Sequence, residues 1–307
     1  MSLASSIKRV MIIAGAAALA IAGALMLVPM MLPAESVRRT VVAELSQRLG
    51  MPVTIQGDVA VSVLPQLVVR LGDVRFGVAD PAGEPPARAD AVVGALRLFP
   101  LLTGAVSISD YTVHRPRIAV RVAADGASNW DRAFERLREA IRRRQAGVTD
   151  FRIVEGEAVV DDAKSGQRVD IRAIDVAVSW PGIDRQANVS GKLTANGEPL
   201  EINAVIARPQ ALFVAEPTGL KMRFASAPVR GGFEGTVTNG DTVTAAGALT
   251  LEGASLRSLL RWLGQNPGIG PSFGPYALKG QVEMLPNSLA FTKVNAELDG
   301  NVADGAL

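Results

Sequence analysis

Leu220-Lys221-Met222-Arg223-Phe224-Ala225 decides the fold. Apolar and charged side chains alternate with a period of two, so the backbone is extended, with Leu220, Met222 and Phe224 on one face and Lys221 and Arg223 on the other. The alternation recurs on both sides of this stretch. Val169 and Ile171 oppose Arg168, Asp170 and Arg172; Val189, Gly191 and Leu193 oppose Ser190, Lys192 and Thr194. Leu200, Ile202 and Ala204 oppose Glu201 and Asn203, while Leu278, Gly280, Val282 and Met284 oppose Lys279, Gln281 and Glu283. Val237 and Leu249 join the apolar set from the strand-like stretches between. Each strand has one wet face and one face that must be covered.

Few helices are at hand to cover it. Residues 34–49 carry Val37, Val41, Leu45 and Leu49 on one stripe and stop at Gly50 and Pro52, which places this helix over one end of the strands that follow. Residues 129–145 put Trp130, Phe134, Leu137 and Ile141 on one face, with Ser128 and Asp131 as a capping box. Arg142, Arg143 and Arg144 close that helix, where cations suit the dipole; a solvated helix end is the plain role, and contact with anionic lipid headgroups is the second. A short helix at 255–263 offers Leu256, Leu259, Leu260 and Leu263. A second sheet would complete the covering as a β-sandwich with a core about 10 Å thick. Yet many inward positions are small (Gly191, Ala204, Gly235, Ala245, Gly247, Gly280), and aromatic residues make up only 5% of the chain, which suits an apolar groove holding a guest. Glycine also marks bulges and bends in coiled strands. Alternation alone leaves both coverings open.

Towards the N-terminus the strands continue: Val59 to Leu64, ended by Pro65, then Leu67-Val69-Leu71, 89–98, 105–113 and 117–123, with a loop at Pro81 to Pro86 and a helical turn at Phe99 to Gly104. Before them lies Val10 to Leu32, an almost unbroken apolar run behind Lys8-Arg9, and about 20 such residues cross the hydrocarbon core as a helix. The run is too long for a signal-peptide core, and Leu32-Pro33-Ala34-Glu35-Ser36 is a poor cleavage site, so an uncleaved anchor is expected. Lys8 and Arg9 favour a cytoplasmic N-terminus; Arg38, Arg39 and Arg48 pull the other way, but large domains cross largely regardless of such charges. The expected organisation is a tip and anchor over 1–33, an α+β region over 34–147 and a strand-rich region over 148–307.

Composition and motifs argue against an enzyme. A net charge of +2 gives no field for nucleic acid, the absence of cysteine removes thiolate chemistry, and the single histidine, His114, reads as a strand-end polar residue. No phosphate-binding glycine loop is present, and Gly268-Ile269-Gly270-Pro271-Ser272-Phe273-Gly274 follows a helix, not a strand. Asp161-Asp162 is the most tempting carboxylate pair, but it enters Ala163-Lys164-Ser165-Gly166, a hairpin turn. No catalytic residue, cofactor or metal site is expected.

The succession of short motifs resembles the AsmA family of envelope proteins. It comprises the anchor; Leu49-Gly50-Met51-Pro52-Val53 leading to Gly57-Asp58-Val59; Leu64-Pro65-Gln66-Leu67; and Leu98-Phe99-Pro100-Leu101-Leu102-Thr103-Gly104. Arg115-Pro116-Arg117-Ile118 and Asp125-Gly126-Ala127-Ser128-Asn129-Trp130 follow, then Ser255 to Gly264 and Leu298-Asp299-Gly300. No one motif is specific; their order is. The resemblance implies a protein held in the cell inner membrane by one pass, with its bulk in the periplasm. It implies a mainly β fold with a few helices, an elongated and strongly twisted antiparallel sheet whose apolar concave face forms a groove. Proteins of this kind are similar to eukaryotic bridge-like lipid-transfer proteins, and the implied function is phospholipid transport toward the outer membrane. The groove candidates are then Val169, Ile171, Val189, Leu193, Leu200, Ile202, Ala204, Leu220, Met222, Phe224, Val237, Leu249, Leu278, Val282 and Met284. The alternative function is a scaffold that influences outer-membrane protein assembly without carrying lipid. Family members usually continue well past the point where Val302 to Leu307 ends this chain, so either a fragment or a partner protein that extends the groove is expected.

Overall fold

The computed structural model describes residues 38–39, 42–43, 45–46, 51–62, 68–79, 84–96, 108–143, 150–240, 242–268, 273–285 and 288–306. The apolar run Val10–Leu32, the turn Phe99–Gly104, Arg144 and Leu307 lie outside them. Among the described residues, no helix is long and apolar enough to cross a membrane.

Period-two alternation becomes strand throughout. The first half holds β1 (Val53–Ile55), β2 (Val59–Ser62), β3 (Val68–Phe76), β4 (Ala87–Leu96), β5 (Ile108–His114) and β6 (Arg117–Val122). After helix α1 (Asp131–Arg142) come β7 (Asp150–Asp162), β8 (Gln167–Ser179), β9 (Ala187–Ala195) and β10 (Glu198–Ile206). A 3-10 turn, Pro209–Phe213, leads to β11 (Thr218–Ser226), β12 (Arg230–Asn239) and β13 (Val243–Gly253). Helix α2 (Leu256–Trp262) precedes β14 (Tyr276–Leu285), β15 (Ser288–Leu298) and β16 (Asn301–Gly305).

These strands form one 16-stranded sheet in the order β1-β3-β4-β5-β7-β8 and then sequentially to β16, with β2 on β3 and β6 between β4 and β7. The expected antiparallel sheet is corrected to a mixed one: β5 and β6 both run parallel to β7. The cause is α1. Parallel neighbours cannot be joined by a hairpin and need a crossover, which α1 supplies between β6 and β7. The sandwich alternative also fails. The strands follow a single hydrogen-bonded path, and most inward side chains from β8 to β11 are half-buried, not sealed beneath a second sheet.

At the β1 end the core is closed. Val53, Ile55, Leu71 and Val74 are buried together, with Val42 and Leu45, both helical, packed on them. Ser46 Oγ accepts the Val53 N–H at 2.9 Å, and an Arg38 guanidinium N–H donates to Gly57 O at 2.8 Å. Of the amphipathic stripe expected there, Leu45 covers the end of the sheet, joined by Val42, while Val37, Val41 and Leu49 lie outside the described residues.

A crease of left-handed residues crosses the first half of the sheet. Asp73 (φ 41°) in β3, Arg115 (φ 45°) between β5 and β6, Glu155 (φ 53°) in β7 and Ala173 (φ 48°) in β8 lie on one transverse line. Such conformations cost L-residues about 1–2 kcal/mol each, so they persist where neighbouring structure holds them. Charges bind the line on its wet side. Arg115 Nε donates to Asp90 Oδ2 at 2.7 Å, Arg115 lies 3.6 Å from Glu155, and the Glu155 N–H donates to Asp175 Oδ1 at 3.0 Å. Bonding and proximity to Asp90 raise the Arg115 pKa further. At the crease the side-chain alternation is reset by one residue, so Leu71 and Val74, three apart, enter one core.

Candidate apolar site

Register assembles the site. Val176, Gly191, Ile202, Phe224, Gly231, Leu251 and Leu278 stand opposite one another from β8 to β14. Alongside runs a row of Val178, Val189, Ala204, Met222, Phe233, Leu249 and Gly280. A third comprises Ile206, Leu220, Gly235, Gly247, Val282 and Phe291; a fourth, Val237, Ala245, Met284 and Leu289. Leu193 pairs with Leu200, and Ile171 with Ala195 and Ala158, next to the Val169–Val160 pair. The register thus brings every groove candidate read from the sequence onto one face. Val282 alone of them is buried (8%); the rest are half-buried.

The opposite face is polar and zipped by cross-strand ion pairs. Lys192 Nζ meets Glu201 at 2.6 Å and Lys221 meets Glu234 at 2.9 Å, each between directly facing residues. The Glu201 carboxylate raises the Lys192 pKa by hydrogen bond and charge. Exposed pairs of this kind contribute about 0.2–1 kcal/mol each, so they register the strands more than they stabilise them.

The small inward residues turn out to have a different use from leaving space. A Cβ on Gly235 would lie 2.2 Å from Ala246 O and 2.8 Å from the Phe233 ring; one on Gly247 would lie 2.4 Å from Glu234 O. A Cβ on Gly231 would meet the Phe224 ring and Leu251 Cδ2, both at 2.9 Å. Glycine here lets neighbouring strands approach closely and leaves to the Phe224 and Phe233 rings the space a Cβ would fill.

Reading alternation alone overlooked Val176, Val178, Ile206, Phe233, Leu251 and Phe291. Val176 and Val178 were hidden by Ala173: the crease shifts the inward set in β8 from odd to even numbers. Phe233 lies in Gly231-Gly232-Phe233-Glu234-Gly235, where glycine blurs the pattern, though its spacing from Val237 was a usable signal.

Both helices reach across the sheet. The Trp130 indole N–H donates to Ala119 O at 2.9 Å, and Arg138 Nε donates to Phe213 O in the 3-10 turn at 2.9 Å, which ties α1 to the β10–β11 connection. Of its expected apolar stripe, Ile141 is buried, Trp130 and Leu137 are half-buried and Phe134 is 50% exposed. The capping box is half formed: Asp131 accepts the Ser128 N–H at 2.8 Å, but Ser128 Oγ accepts from Trp130 N. Arg143 is ion-paired with Glu139, and Arg142 ends the helix exposed. On the far side, the Trp262 indole N–H of α2 donates to Ala195 O at 2.6 Å.

The residues discounted for chemistry sit as read. His114 ends β5. Asp162 opens the hairpin to β8, accepting the Lys164 N–H at 2.9 Å and the Ser165 hydroxyl at 2.7 Å; the latter bond chiefly holds its pKa below the ordinary carboxylate value.

A comparison with curated proteins finds no match. The motifs at 255–264 and 298–300 lie beyond the stretch matched by a family model. That model, of the AsmA family, matches residues 6–165, a little over half of the chain, and covers β1 to β7. The chain belongs to the AsmA family.

Proposed function

We propose that this protein is an envelope lipid-handling module whose apolar face carries phospholipid acyl chains toward the outer membrane while their headgroups stay in water. The carrying observation is the continuous register of inward apolar residues, glycines among them, from β8 to β15, most of them left half-buried by the fold. Open apolar surface gains roughly 25 cal/mol for each Å² taken from water, which favours an acyl chain lying along it. Family membership supports the envelope setting. In this reading Val10–Leu32 anchors the chain in the inner membrane with the sheet in the periplasm, and the β1 end sits nearest the lipid source. Arg142 stands ready for a headgroup phosphate, and other envelope proteins extend the path. No chemical step is assigned.

The test is photo-crosslinking in cells. A crosslinking side chain at Ile202 or Met222 is expected to capture phospholipid at least tenfold more often than one at Lys221 or Lys279 on the polar face. Equal capture from both faces would sink the proposal and leave the scaffold role.

A further inference from the structure

We propose, resting on the lipid-handling reading above, that α2 is a latch across one rim of the apolar face and lifts to admit acyl chains sideways. The helix leaves the end of β13 and returns to β14, yet its tip is fastened to β9, past β12, β11 and β10. Two side-chain bonds make that fastening: the Trp262 indole N–H to Ala195 O at 2.6 Å, and Asn196 Nδ2 to Trp262 O at 3.2 Å. Ala195 is paired with Ile171, so the fastened carbonyl belongs to a residue whose side chain shares the apolar face.

The base of α2 is held differently. Leu256 N donates to Gly274 O at 2.8 Å and Arg257 N to Phe273 O at 3.0 Å, while Ser255 Oγ accepts from Ser258 N at 3.2 Å as the cap. The base is therefore tied by main-chain bonds and the tip by side chains alone. No residue of α2 is buried, and Leu263 just past its end is 57% exposed, so little packing opposes lifting the tip. Gly264 (φ 79°) follows immediately, a backbone geometry that turns freely only at glycine. A helix of 7 residues does not hold itself together in water, so its two attachments decide where it lies.

The chain has no cysteine, so Glu198→Cys, which directly faces Ala195 and takes no part in either fastening bond, with Leu263→Cys creates a unique labelled pair in the intact chain. Spin labels there are expected to give a short major distance and a longer minor one, the latter growing at least threefold in Trp262→Phe, which keeps an aromatic ring and removes the N–H. One short distance, unchanged by Trp262→Phe, would overturn the latch. Next, a short bis-maleimide bridge between the two cysteines is expected to lower lipid capture at Ile202 at least tenfold against the unbridged protein. Undiminished capture would overturn the gating. If the unbridged protein captures no more lipid at Ile202 than at Lys221, the lipid reading fails and the gating with it; the spin-label distances then decide the motion alone.

Discussion

At the residue scale, the side chain separates Ala173 from its partners in the crease. Asp73, Arg115 and Glu155 hold positive φ while their side chains enter ion pairs or hydrogen bonds, whereas exposed Ala173 has a left-handed backbone and only a methyl group to show for it. Ala173→Gly is therefore expected to stabilise the fold by about 1 kcal/mol, because the left-handed penalty exceeds the extra chain entropy glycine brings to the unfolded state. Denaturant titration reads it, and a loss of stability would contradict the crease. Asp162 supplies a pH signature. Its folded pKa is lowered, so its contribution is complete above the ordinary carboxylate pKa and is lost as pH falls through the lowered one. Asp162→Asn is expected to remove that part of the acid dependence, seen by melting the two proteins side by side from neutral to acid pH.

At the element scale, the Gly235–Gly247 pair carries the coiling of β12 on β13. A methyl group on either meets backbone atoms of the facing strand at 2.2–2.6 Å, and backbone cannot yield as a side chain can. Gly235→Ala and Gly247→Ala are each expected to destabilise by about 2–3 kcal/mol. Gly166→Ala in the β7–β8 turn is the contrast: nothing lies within 4 Å of its added methyl, so only the φ 68° backbone resists, and the loss is expected nearer 1 kcal/mol. Comparable losses at all three sites would mean that conformational freedom, not close approach, explains the inward glycines.

For the whole molecule, the decisive quantity is how much apolar surface the fold leaves open. In the four rows from β8 to β14 only Phe233, Gly280 and Val282 are buried, and the rest are half-buried. Half-buried inward residues should accordingly cost little when shortened. Ile202→Ala is expected to destabilise by about 1 kcal/mol, well below the 2–5 kcal/mol of a sealed core, because water already reaches the site. A loss at the sealed-core level in urea would indicate a covering absent from this architecture. The sequence by itself determined which stretches are strands and which side chains share a face, because alternation is local: each Cβ points opposite to the one before it. It located the helical cap at Leu45, the α1 and α2 segments, the hairpin at Asp162 and part of the apolar face, but not Val176, Val178, Ile206, Phe233, Leu251 or Phe291. Only the tertiary structure decided that the strands make a single sheet, that β7 runs parallel to β6, and that left-handed residues align across strands far apart in the chain. It also decided that glycines seat Phe224 and Phe233 instead of leaving room. Those features depend on which strand lies beside which, and pairing is a long-range choice that no single strand encodes.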